Sequence, residues 1–104
     1  MVNEEIRSIV KRLAEALSPS KIYLFGSYAK DTYREDSDYD LYVLVPDNAG
    51  NPIDLAAQGY RSLQGIRKTP VDLIVGRETS FQRRSQMPTL EREIKRDGVL
   101  LYEK

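Results

Sequence analysis

Two aspartates separated by one residue, Asp38 and Asp40, stand at the start of an apolar stretch. In a strand, the side-chain period of two places both carboxylates on one face, with Cα atoms about 6.6 Å apart. Carboxylates this close repel each other, and each raises the proton affinity of its neighbour. A hard divalent cation such as Mg²⁺ relieves that repulsion and also binds substrate phosphates. The pair therefore predicts a metal site built from oxygen ligands.

A third aspartate occurs in a similar setting. Asp72 is the second residue of the apolar run Val71-Asp72-Leu73-Ile74-Val75. If this run and residues 39–45 form neighbouring strands, ~4.8 Å separates them, and Asp72 lies beside Asp38 and Asp40. Three carboxylates directed at one point can hold two metal ions ~3.5–4 Å apart, which act on the attacking and leaving oxygens of a phosphoryl or nucleotidyl transfer.

The dipeptide Gly26-Ser27 follows the apolar run 22–25 and has the features of a phosphate-binding turn. A glycine lets the backbone approach a ligand, the serine adds a hydroxyl, and a helix that starts here directs free N–H groups at an anion. Taken singly, such patterns are more common in ordinary turns and strand ends. Their order along the chain is what favours a functional site.

The composition excludes several other kinds of chemistry. The 104 residues contain no Cys and no His, which removes Ser-His-Asp and Cys-His catalysis, zinc sites with those ligands, and disulfides. Lys and Arg number 16, as do Asp and Glu, and the zero net charge counts against direct nucleic-acid binding. No apolar run approaches the ~20 residues of a membrane span, and no signal peptide is evident, so we expect a cytoplasmic protein.

The spacing of apolar residues predicts the elements that position these side chains. Helical spacing marks residues 2–17, and short helices are predicted at 28–30, 51–65, 79–87 and 89–97, with Asn51 and Thr89 as starts. Strands are predicted at 22–25, 39–45 and 71–75, with a last edge strand at 99–102. The order αβαβαβα predicts one α+β domain over residues 1–104, a small mixed β-sheet with helices packed mainly on one face.

Two segments resemble a known signature. Phe25-Gly26-Ser27-Tyr28-Ala29-Lys30 and Asp36-Ser37-Asp38-Tyr39-Asp40-Leu41 are similar to the motif G-S-x-A-x-G…S-D-x-D-L of the polymerase-beta nucleotidyltransferase superfamily, and most of all to its minimal nucleotidyltransferases. The resemblance covers nearly the whole chain and implies the nucleotidyltransferase fold. The family often has glycine where this chain has Asp31, a residue that borders the loop after the Gly-Ser turn.

The resemblance also implies roles for the candidate residues. Gly26 and Ser27 would bind the β- and γ-phosphates of a nucleoside triphosphate such as ATP. Asp38, Asp40 and Asp72 would be the catalytic residues and would hold the metal, with two Mg²⁺ ions expected. Asp72 would also help to activate the hydroxyl that attacks the α-phosphorus. Ser37 is expected to brace the loop rather than react.

The acceptor of the nucleotide is implied only by the resemblance. Larger relatives hold the acceptor on an additional domain, and here we expect a partner protein to supply that surface. Minimal members resemble antitoxins paired with HEPN-domain RNases, which implies a protein adenylyltransferase that transfers AMP to a tyrosine of its toxin. Two alternatives remain: a non-catalytic antitoxin that acts by binding, or a nucleotidyltransferase subunit that modifies a small molecule or RNA together with a helical partner.

Overall fold

The computed structural model describes residues 3–32, 34 and 37–104, so Asp36 of the second motif lies outside the described residues. The elements follow one another in the order α1 (Glu4–Leu17), β1 (Lys21–Phe25), β2 (Tyr39–Val45), α2 (Pro52–Ser62), β3 (Val71–Arg77), α3 (Glu78–Arg84), α4 (Leu90–Asp97) and β4 (Val99–Glu103).

The four strands form one mixed sheet in the order β3-β2-β1-β4. β1 pairs antiparallel with both β2 and β4, whereas β3 runs parallel to β2. A parallel neighbour requires a crossover connection, and α2 provides it between β2 and β3. The predicted mixed α+β sheet is confirmed.

Side chains at the helix starts explain why the helices begin where they do. Asn3 accepts a hydrogen bond from the Ile6 N–H at 2.9 Å, and Asn51 accepts one from the Ile53 N–H at 2.8 Å. Thr89 caps α4 in the same way, through the Arg92 N–H. Each cap satisfies an N–H group that has no partner within its helix. The predicted starts at Asn51 and Thr89 are confirmed.

The two faces of the sheet are covered unequally. The long helices α1 and α2 pack on one face, over the larger apolar cluster, which includes Ile9, Leu13 and Leu41. On the other face, Phe81 of α3 and Ile94 of α4 pack against Tyr42 and Leu44 of β2 in a smaller cluster. The helices therefore lie mainly on one face, as predicted, and the second face is covered by two short helices. No helix in the described ranges is long and apolar enough to cross a membrane.

One predicted element does not form. Residues 27–31 make a hydrogen-bonded turn instead of the short helix predicted at 28–30, in which the Lys30 N–H donates to the carbonyl oxygens of Gly26 and Ser27 at 3.3 and 3.2 Å. A single helical turn fixes several dihedral angles and gains very few hydrogen bonds. A helix this short is therefore not stable on its own. Donors to a phosphate must therefore come from a turn rather than from a helix start.

Candidate active site

The strand register brings two of the three predicted carboxylates together. Asp40 of β2 and Asp72 of β3 are directly paired in the parallel ladder. Paired residues of neighbouring strands point to the same face and are ~4.8 Å apart, so these side chains share one patch of the sheet. Asp72 is exposed and Asp40 is partly buried, which leaves both accessible to a ligand. Asp38 lies two residues before Asp40, and its charge also acts on the Asp40 carboxyl.

Gly26 joins the Gly-Ser turn to this patch. Phe25, the last residue of β1, is paired with Asp40, so the chain leaves β1 directly beside the carboxylates. Gly26 has a left-handed φ of 75°, and a Cβ at this position would overlap with Asp40 Oδ2 and lie 3.1 Å from Asp40 Cγ. Both the conformation and the contact require glycine. The predicted phosphate turn and the predicted metal ligands therefore touch.

The carboxylates affect one another electrostatically. Burial, followed by the charges of Asp72 and Asp38, raises the pKa of Asp40. This excess of negative charge is what a divalent cation would relieve. In the described part of the chain, no three acidic side chains already converge on a single point to hold an ion. Mg²⁺ is usually bound through one or two carboxylates and completed by water and substrate phosphates, and Asp40 with one neighbouring aspartate fits that pattern.

The turn after Gly26 offers hydrogen-bond donors and a cation. Within the described ranges, the N–H groups of Ser27 and Ala29 donate to no other protein atom. The ammonium of Lys30 lies 3.0 Å from Glu93 Oε1 of α4, and both side chains are about half exposed. Lys30 was not predicted as a site residue, although a basic residue three positions after Ser27 is a signal that the sequence contains. Free N–H groups together with a basic side chain suit a phosphate.

On the same face as Asp40, a buried hydrogen bond between Tyr42 and Glu91 fixes α4 to the sheet. The Tyr42 hydroxyl donates to Glu91 Oε2 at 3.1 Å, and Glu91 Oε1 accepts from Arg84 Nε at 3.0 Å. Burial and the Glu91 charge raise the pKa of Tyr42, so its hydroxyl remains a donor. Gly76 leaves the room for it, since a Cβ there would overlap with the Tyr42 hydroxyl. This pair holds the segment two residues beyond Asp40 in place.

Ser37 and Asp31 shape the loop before β2. Ser37 Oγ accepts a hydrogen bond from the Arg34 N–H at 2.8 Å, which is the bracing contact expected of it. Asp31 adopts a left-handed φ of 57°, the region that favours glycine. Aspartate enters that region at lower cost than most other residues. At Asp31 the backbone therefore has a conformation that glycine adopts readily.

Substituting Asp31→Gly is expected to stabilise the fold by ~0.5 kcal/mol, because relief of the left-handed strain slightly exceeds the added entropy of the unfolded chain. Urea unfolding measures the change. The neighbouring substitution Thr32→Gly serves as the control. Thr32 has no positive φ, and its replacement by glycine removes the hydroxyl contact to the Ser27 carbonyl. It is expected to destabilise the protein. A loss of stability in Asp31→Gly as large as that of the control would contradict the prediction.

A groove of about 710 Å³ lies at the opposite end of this face, lined in part by Lys21, Leu44, Phe81 and Lys95. None of the predicted site residues lines it. The residues for which the sequence predicts chemistry lie instead at the Gly26 end of the sheet.

Comparison with known proteins relates this chain to a family. The family described as "Polymerase beta, Nucleotidyltransferase" matches residues 4–104. No curated protein matches the chain. A solved structure from Sulfolobus solfataricus, described as a nucleotidyltransferase, is 24% identical with a TM-score of 0.66, over 97% of this chain and 79% of that one. At this identity the likeness shows the fold alone.

Two further solved structures are toxin–antitoxin assemblies. One, with AMP-PNP, is 26% identical with a TM-score of 0.57, over 98% of this chain and 75% of that one. The other is MntA-HpeT with two aspartates, two positions apart, replaced by glutamate. It is 27% identical with a TM-score of 0.60, over 99% of this chain and 75% of that one. Since the family match spans nearly the whole sequence and the described elements form the same fold, this chain belongs to the polymerase beta nucleotidyltransferase family.

Proposed function

We propose that this protein is a Mg²⁺-dependent adenylyltransferase antitoxin, which transfers AMP from ATP to a tyrosine of a HEPN-domain RNase toxin in the cytoplasm and so neutralises it. The observation that carries the proposal is the pairing of Asp40 with Asp72, with Gly26 packed against Asp40. These contacts leave one side chain between the Gly26-Ser27 turn, which would bind phosphate, and the carboxylate pair, and in this way they support the proposal. The similar toxin–antitoxin structures support the partner, and AMP-PNP in one of them supports ATP.

Each residue of the patch has a role in this proposal. Gly26, Ser27 and the ammonium of Lys30 bind the β- and γ-phosphates. Asp38, Asp40 and Asp72 provide the oxygen ligands for Mg²⁺, with two ions expected from the family. When bound, Mg²⁺ neutralises the charge of the triphosphate and of the carboxylates. Asp72 is the most exposed of the paired carboxylates, and so it is the one placed to meet an incoming hydroxyl.

The transfer is a displacement at the α-phosphorus. The acceptor oxygen forms a bond to that phosphorus, the bond to the α,β-bridging oxygen breaks, and pyrophosphate leaves. The acceptor proton passes to a carboxylate of the patch. Positioning and charge neutralisation account for most of the catalysis, so a chain without histidine is not at a disadvantage.

The proposal is tested with ATP labelled at either the α- or the γ-phosphate. The purified protein and Mg²⁺ are added to a lysate of its own host. We expect a protein band that is labelled from α-labelled ATP only, and mass spectrometry of that band should locate AMP on a tyrosine. The double variant Asp38→Ala/Asp40→Ala should lose the band.

Other outcomes would replace the proposal with an alternative. Absence of any labelled product, together with protection from the toxin by the double variant, would indicate an antitoxin that acts by binding alone. A labelled RNA or small molecule in place of a protein band would indicate a nucleotidyltransferase subunit with another acceptor. Asp31 has a left-handed φ, a conformation that glycine also adopts readily, and this supports the catalytic proposal over the binding-only alternative.

A further inference from the structure

The outer face of β3 is left open beside the carboxylates. The apolar cluster on this face draws its members from β1, β2, α3 and α4, and it includes no residue of β3. β3 is also an edge strand, with β2 as its one neighbour in the sheet. Asp72 itself is exposed, so a ligand can reach it from the β3 side of the sheet.

Ile74 is the apolar side chain on this open face. With alternating side chains, the outer face of β3 carries Asp72, Ile74 and Gly76, while Val71 and Leu73 belong to the opposite core. Ile74 is 38% exposed, and its paired residue is Tyr42. Single exposed apolar residues are common on protein surfaces, so exposure alone would carry no meaning. What distinguishes Ile74 is its position two residues from a carboxylate of the candidate site.

The order of the strands determines from which side an acceptor arrives. Across the sheet, the Gly26-Ser27 turn at the end of β1 comes first, Asp40 of β2 second and Asp72 of β3 third. In an in-line displacement the attacking oxygen approaches opposite the leaving group. With the β- and γ-phosphates on the Gly26 side, the acceptor hydroxyl would come from the β3 side, where the side chain of Ile74 is exposed.

We propose that Ile74 determines acceptor specificity by packing against the aromatic ring of a tyrosine, whose hydroxyl then reaches the patch beside Asp72. Cα atoms two residues apart on a strand are about 6.6 Å apart, comparable to the length of a phenol side chain. A serine or threonine hydroxyl is too short to bridge the same two positions. This inference rests on the proposed function and adds the residue that selects the acceptor.

Methyl NMR tests the contact directly. The protein carries ¹³C-labelled isoleucine methyl groups and is loaded with Mg²⁺ and the α,β-methylene analogue of ATP, whose P–C bond is not cleaved. Added N-acetyl-tyrosinamide should shift the Ile74 methyl resonance upfield in a saturable way, because the methyl lies over a ring. Ile53 is an internal control, since it is 79% exposed on α2, away from the patch. A shift of Ile53 equal to that of Ile74, or no shift at Ile74, overturns the inference.

Transfer assays test the consequence. Ile74→Ser should lower kcat/KM for N-acetyl-tyrosinamide ~10-fold and leave the KM for ATP unchanged, since one apolar contact to the acceptor is lost. Ile74→Val should retain most of the activity. Leu100→Ser is the matched control, because Leu100 is 44% exposed on β4, the opposite edge strand. Equal losses in both serine variants would contradict a specific role for Ile74.

The two proposals fail in different ways. If the wild-type protein transfers AMP to N-acetyl-serinamide as well as to N-acetyl-tyrosinamide, the role of Ile74 is wrong and the adenylyltransferase proposal stands. If it transfers AMP to neither small acceptor nor to any lysate protein, the adenylyltransferase proposal fails. The methyl shifts then still decide whether an aromatic ring binds at Ile74.

Discussion

Replacing Asp40 with asparagine is expected to abolish nucleotidyl transfer and, at the same time, to stabilise the fold at neutral pH. The transfer rate should fall ~10³-fold or more. Metal ions contribute several kcal/mol of transition-state stabilisation, and the variant lacks a carboxylate that would bind them. Initial rates of pyrophosphate release at saturating ATP and Mg²⁺ measure it. Asp54→Asn is the control, because Asp54 is an exposed residue in the first turn of α2, away from the patch.

The gain in stability follows from the pKa of Asp40. Burial, Asp72 and Asp38 raise that pKa in the folded protein, so the folded state binds the proton more tightly than the unfolded chain does. The contribution of Asp40 to the free energy of unfolding is therefore fully present at low pH. It falls as the pH rises from the ordinary aspartate pKa through the pKa of Asp40 in the folded protein. At pH 7 the charged carboxylate opposes folding, and asparagine removes that opposition.

Thermal unfolding at two pH values checks the sign. At pH 7 the Tm of Asp40→Asn should exceed that of the wild type by ~2–4 °C. A change of 1 kcal/mol in stability shifts the Tm of a domain of this size by ~4–8 °C. The expected shift is smaller because solvent screens the partly exposed carboxylates. At ~pH 3, below the usual aspartate pKa, the difference should shrink. A variant that melts below the wild type at pH 7, or one that retains transfer, contradicts this account of the patch.

The carboxylate patch was foreseeable because it depends on short-range patterns. An aspartate in an apolar strand is unusual enough to indicate a function, and Asp40 and Asp72 were identified in that way, with Asp38 added as the aspartate just before the strand. That Asp40 and Asp72 become partners required β2 and β3 to be neighbours, which strand composition does not specify. The pairing depends on the crossover through α2, so from the sequence it could be stated only as a condition.

The contacts between distant elements were not foreseeable. The hydrogen bond from Tyr42 to Glu91 joins residues 49 positions apart, and the ion pair of Lys30 with Glu93 joins residues 63 positions apart. Both contacts depend on where α4 packs on the sheet. The sequence of α4 predicts an amphipathic helix but not the position at which it packs. The helix wrongly predicted at 28–30 shows the opposite error. The residues at 28–30 were predicted to be helical from local signals alone. A helix of one turn that ends at the left-handed Asp31 is too short to be stable.

The contact between Gly26 and Asp40 leads to the most discriminating mutation in the chain. Gly26→Ala should destabilise the protein by ~1–2 kcal/mol from its left-handed backbone alone, and by more because the new Cβ overlaps with the Asp40 carboxylate. Nucleotidyl transfer should fall ~100-fold or more, since a displaced Asp40 no longer presents its oxygens beside the turn. Urea unfolding and pyrophosphate release measure the two effects.

Gly65→Ala separates backbone strain from the contact with Asp40. Gly65 has a left-handed φ of 83°, and a Cβ there meets no atom within 4 Å. It should therefore lose ~1–2 kcal/mol of stability and keep full activity. Adding Asp40→Ala to Gly26→Ala should bring the stability loss down to that of Gly65→Ala, because the overlapping carboxylate is gone. If Gly26→Ala remains fully active, the turn and the carboxylates work independently, and the patch is not the transfer site.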